Sequence, residues 1–127
     1  MKDTMTAPLQ VKKKSPITIM DSVIELLLDR YGITKEDLRG IRRKDEFVYV
    51  RQLFCYWVRW YYATEVSLNA IAFLINRTDH TTVIHAKDAF KSRIKTNSKL
   101  PKKIRHIAPG TKDDFLIVQK LIKIRCL

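Results

Sequence analysis

Apolar residues along this chain recur at helical spacing, and polar breaks divide them into about six segments. Ile19, Val23, Leu26, Leu27 and Tyr31 fall three or four positions apart and mark the inner face of a first helix. Thr18 is its expected cap, with Asp21 as a capping-box partner, and Gly32 is its expected stop. Thr34 is placed to cap a short second helix over residues 35–39, closed by Gly40. A long third helix is predicted from an N-cap at Asp45 to about Tyr62. Its Phe47, Val50, Leu53, Phe54, Trp57, Val58, Trp60 and Tyr61 are too many for one narrow stripe, so it reads as the central helix, buried over much of its circumference. Ser67 caps a fourth helix to about Ile75, residues 76–78 make a tight turn, and a fifth helix runs from Asp79 to about Ile94. Thr111, with Asp114 three residues on, opens a last helix over about residues 111–125. Two helices joined by three or four residues form a helix-turn-helix over about residues 67–94, within an all-α fold of about six helices.

Composition sharpens this picture. At 127 residues the chain supports one core. Residues 1–17, with Lys12, Lys13, Lys14 and two prolines, read as a flexible basic arm, and residues 18–127 as a single helical domain. The formal charge is +12 and unevenly spread. Residues 21–90 hold ten Lys or Arg against ten Asp or Glu, whereas residues 91–127 hold eleven against two. That basic excess, which includes the irregular loop 95–110 with its Pro101 and Pro109, suggests a polyanionic partner. Cys55 and Cys126 stand far apart, and Cys55 sits in an apolar helix, so a buried free thiol in a reducing compartment is expected. No apolar run approaches a membrane span and no secretion signal is evident, so a cytoplasmic location is expected.

The fifth helix opens on four small polar side chains, Asp79, His80, Thr81 and Thr82, before Val83 and Ile84. A helix serving only the core has no reason to begin this way. A helix that lowers its N-terminus into the DNA major groove does, because its first-turn residues reach base edges. Asp accepts from cytosine N4, Thr hydroxyls pair with several bases and Thr methyls touch the thymine methyl. Catalytic and metal chemistry find no comparable support. His80 and His85 are five apart, off the one-face spacing of a zinc-binding helix, and Cys55 has no recognisable base partner. Neither an enzyme nor a cofactor is expected.

The run Asp79-His80-Thr81-Thr82-Val83-Ile84-His85-Ala86 resembles the signature of the C-terminal DNA-binding domain (domain IV) of DnaA, the bacterial replication initiator, whose helix-turn-helix is Trp-repressor-like. The framework follows in register: Ile33 to Leu38, Arg42-Arg43, Arg51-Gln52 and Ser67-Leu68, with a weaker echo at Lys112 to Phe115. The resemblance implies that Asp79, His80, Thr81 and Thr82 read the major groove and that Arg43 enters the minor groove. It marks Arg42, Arg51, Arg59, Ser67, Leu68, Asn69, Arg77, Thr78, His85 and Lys87 as candidate phosphate contacts. The chain departs from the family pattern where Thr78 replaces an arginine, Arg77 a glycine and Asn69 a proline. The acidic pair Asp45 and Glu46 lies beside the basic loop, about two residues are added near residues 62–66, and loop 95–110 is longer. No G-x-x-x-x-G-K-S/T phosphate cradle is present, so no nucleotide is expected to bind this chain.

Together these readings imply sequence-specific double-stranded DNA binding in replication initiation or its regulation, by a bacterial, phage or mobile-element protein. A separate replication protein is a further expected partner. The alternatives are a helix-turn-helix transcriptional regulator, a non-specific nucleic-acid binder, and a structural or adaptor protein that retains the fold.

Overall fold

A computed structural model describes residues 14–127. Six α-helices and one 3-10 helix follow in the order α1 (Pro16–Tyr31), α2 (Lys35–Arg39), α3 (Asp45–Tyr62), α4 (Leu68–Leu74), α5 (Thr81–Thr96), the 3-10 helix (Lys102–Ile107) and α6 (Thr111–Arg125). Residues 1–13 of the arm expected over 1–17 lie outside the described residues, and its last two already belong to α1. The cap of α1 is Ser15, not Thr18: the Ser15 hydroxyl accepts from the Thr18 amide, and Pro16 fits the first helical position because no amide is needed there. Gly32 closes the helix in the left-handed conformation, as expected.

Thr34 caps α2 as the sequence suggests, and Asp37 completes a capping box. Thr34 Oγ1 accepts from the Asp37 amide at 3.0 Å, and Asp37 Oδ2 accepts from the Thr34 amide at 2.9 Å. The cap position of α3 is Lys44, so Asp45 is the first helical residue; there it and Glu46 put negative charge at the positive end of the helix dipole.

Helix α3 is the axle of the fold, with α5 packed most extensively along it. Trp57, Tyr49, Phe54 and Phe90 are fully buried. Tyr31, Tyr49, Phe90, Tyr56 and Phe115 pass edge-to-face and tilted ring contacts from α1 through α3 and α5 to α6, at centroid separations of 5.3–5.8 Å. Burial of α3 is incomplete at its C-terminal end, where Trp60 and Tyr61 are exposed and Tyr61 stacks on Trp57. Cys55 and Cys126 are both buried free thiols, and burial pushes Cys55 up to about 12, so it stays protonated.

Asp114 does not complete a capping box. It is fully buried and accepts from the Tyr49 hydroxyl at 2.8 Å, the Tyr31 hydroxyl and the Arg30 guanidinium. One carboxylate thereby ties α6 to α1 and α3. The stretch 95–110, expected to be irregular, contains the 3-10 helix and ends in a clasp. The Asn97 side chain accepts from the Lys112 amide, and the Ser98 carbonyl accepts from the Thr111 amide. Among the described residues no helix is long and apolar enough to cross a membrane.

Candidate nucleic-acid interface

The Ser67 hydroxyl caps α4 by accepting from the Ala70 amide at 3.1 Å, so that side chain is already engaged. The Leu68 and Asn69 amides lie in the first turn, where helix geometry supplies no acceptor. The turn between α4 and α5 spans residues 75–80, longer than the sequence suggests. Its reversal uses Asn76 in a left-handed conformation and an Arg77 amide bonded to the Ala72 carbonyl at 2.7 Å.

Asp79 and His80 precede α5 instead of forming its first turn. Helix α5 begins at Thr81, whose amide has no acceptor within the helix and is met by Asp79 Oδ1 at 2.9 Å. The Thr81 amide, then its hydroxyl, holds the Asp79 carboxyl below the usual carboxylate range. His80 holds the cap position, and the Asp79 side chain stays exposed beside that of His80. Thr81 is exposed and Thr82 half-buried. The four residues expected to read bases therefore occupy one continuous edge, two of them just before the helix and two in its first turn.

Arg43 lies on the same side. An open cleft of about 530 Å³ is lined by Arg43, Gln52, Asn76, Thr78, Thr82 and His85, with Arg51 and Arg77 beneath. Arg42 and Arg43 are exposed, as are Thr78 and His85. Lys87 is half-buried and paired with Asp88 at 3.0 Å. Arg59 gives one nitrogen to the Val66 carbonyl at 3.1 Å, which fixes the connection into α4.

Two arginines expected at phosphates point inward instead. Arg51 is buried and donates to four backbone carbonyls, those of Asp37, Leu38, Gly40 and Arg42, at 2.7–3.0 Å. A guanidinium holds five donors in a planar fork, and four carbonyls converging on it leave little to offer a phosphate. Burial, then the neighbouring Arg77 and Arg43 charges, lowers Arg51 to about 10. Arg77 is half-buried and donates to the carbonyls of Gly40 at 2.9 Å and Ile75 at 3.0 Å. Both are fastenings of the basic loop, not exposed contacts. Arg39 also joins this network, unforeseen because its acceptors, the Phe73 and Leu74 carbonyls, lie more than thirty residues away in the chain.

A helix-turn-helix whose second helix presents small polar residues at its start, beside a basic loop, defines the class. Residues 20–89 match the family described as the bacterial dnaA protein helix-turn-helix, and the chain belongs to that family. Over 85 residues, two thirds of the chain, it is 38% identical to the chromosomal replication initiator protein DnaA of Levilactobacillus brevis, covering 18% of that protein. The same-named protein of Oenococcus oeni is 29% identical over 105 residues, 83% of this chain and 23% of its own length. That of Lactiplantibacillus plantarum is 38% identical over 74 residues, 58% of this chain and 16% of its own length. The chain thus spans about a fifth of the length of the curated relatives it matches. No solved structure matches it significantly.

Proposed function

We propose that this chain binds double-stranded DNA sequence-selectively, with the start of α5 in the major groove and Arg43 in the adjacent minor groove. The observation that carries the reading is a shared open cleft: Thr78, Thr82 and His85 line it with Arg43, and the exposed Asp79, His80 and Thr81 stand between Thr78 and Thr82 in the chain. The free Asp79 oxygen, the His80 ring and the Thr hydroxyls supply acceptors and donors for base edges. Arg42, Arg59, the Leu68 and Asn69 amides, Thr78, His85 and Lys87 are the proposed phosphate contacts. Kinship with proteins named chromosomal replication initiator supports a role in replication initiation or its regulation. The proposal is for a binder, not a catalyst, acting in the cytoplasm on the nucleoid or on a phage or mobile-element origin, and a separate replication protein fits as its partner.

Substitution separates base reading from general attraction. His80→Ala or Thr81→Ala is expected to cost about 1–3 kcal/mol on the preferred duplex and little on a scrambled one. Replacing Lys102 and Lys103, exposed on the 3-10 helix, is expected to weaken both duplexes alike. Fluorescence anisotropy titrations on the two duplexes check this, and equal losses for both sets of variants would remove the recognition role from α5.

A further inference from the structure

We propose that Arg77 is a positioning residue that locks the minor-groove loop to the recognition turn, so that Arg43 and the start of α5 meet DNA as one rigid unit. The inference rests on the DNA-binding reading above and deepens it. Residues 41–44 are all exposed and carry Arg42, Arg43 and Lys44. Two carbonyls fix this short segment: that of Arg42 within it, which accepts from Arg51 at 3.0 Å, and that of Gly40 before it. The Gly40 oxygen accepts from Arg51 on α3 at 3.0 Å and from Arg77 in the recognition turn at 2.9 Å. A carbonyl has two lone pairs and can take both donors. Gly40 suits the position sterically, because a Cβ there would stand 2.7 Å from the Glu36 carbonyl oxygen.

The Arg77 fork grips both sides of the junction. Its other terminal nitrogen reaches the Ile75 carbonyl within the turn, and Asn76 Nδ2 reaches the Arg39 carbonyl at 3.3 Å. Arg39 reciprocates by donating to the Leu74 carbonyl at 3.1 Å. Loop and turn are therefore joined by side-chain donors on backbone acceptors, with three arginines taking part. Among the described residues no carboxylate bonds to either guanidinium that grips Gly40; burial, and after it the Arg77 charge across the shared oxygen, lowers Arg51. Such a joint holds while both forks are in place and loosens when one is removed. With the loop already ordered, DNA does not have to fix it on binding, and that ordering cost is removed from association.

The consequence is energetic coupling between two residues that do not bond to each other. Arg43→Ala is expected to weaken binding to the preferred duplex about tenfold in the wild-type background but less than twofold in Arg77→Ala, since a loose loop no longer presents Arg43. Hydrogen exchange on the free protein supplies a readout independent of DNA. Amides of residues 41–44 are expected to exchange at least about tenfold faster in Arg77→Ala, with α3 core amides within twofold of wild type. Arg77→Lys keeps the charge but loses the fork, so it is expected to behave like Arg77→Ala in both assays. Three results would overturn the proposal: additive Arg43 and Arg77 effects, unchanged loop exchange, or full retention of both properties by Arg77→Lys. A salt slope lower by about one in Arg77→Ala with unchanged loop exchange would return Arg77 to a phosphate contact. If the wild-type protein bound no duplex, the DNA-binding reading would fall and the coupling with it, while loop exchange would still decide whether Arg77 locks the loop.

Discussion

Asp114→Ala is expected to destabilise the fold by about 3–5 kcal/mol, the range for breaking a buried charge pair by deleting one partner. The carboxylate is fully buried and takes the Arg30 guanidinium and the Tyr31 and Tyr49 hydroxyls at once. Its removal leaves a half-buried cation and two buried phenols without their acceptor. Burial raises both phenols well above their ordinary range, so they remain protonated donors at any working pH and cannot compensate. The loss should appear as a lower urea midpoint with an unchanged slope. Asp114→Asn, which keeps an acceptor oxygen, should lose less. A midpoint shift equivalent to under 1 kcal/mol for Asp114→Ala would mean that α6 is held by its apolar face alone.

Arg51→Ala is expected to cost about 2–4 kcal/mol of stability, because a charged donor group leaves four carbonyls at the junction of α2, the loop and α3. Arg51→Lys should recover little, since one ammonium cannot span acceptors set around a planar fork. Denaturation curves measure this part. Salt titration of DNA affinity measures the other: the slope of log K against log salt should match wild type for Arg51→Ala, whereas a true phosphate contact would lower it by about one. A stable variant with the smaller slope would restore Arg51 to the DNA surface.

These two residues mark where sequence reading succeeds and where it stops. Caps and stops are local chemistry, so Gly32, Thr34, Ser67 and the span of α6 were legible within a residue or two. The polar run at the start of α5 was legible for the same reason. The offset of that helix start from Asp79 to Thr81 was not, because a polar run at a helix start does not mark its first helical residue. The internal bonds of Arg51, Arg77 and Asp114 were not legible for a deeper reason. A charged residue at a surface-like position looks alike whether it meets solvent, phosphate or carbonyls brought together from elsewhere. Asp114 has partners 65 to 84 residues away, and the Gly40 acceptor of Arg77 is 37 residues away. Periodicity carries no record of such meetings.

The revised site is smaller and more ordered than the sequence alone implies. The residues proposed to read bases straddle the start of α5, and the basic loop is a fastened element. The measurement that bears most directly on this account is selection of bound duplexes from a randomised pool by the wild-type protein. The account predicts enrichment of one defined site that combines major-groove positions with an adjacent minor-groove segment, and loss of its major-groove positions when His80→Ala repeats the selection. A pool that stays random under wild-type selection, despite measurable binding, would contradict it.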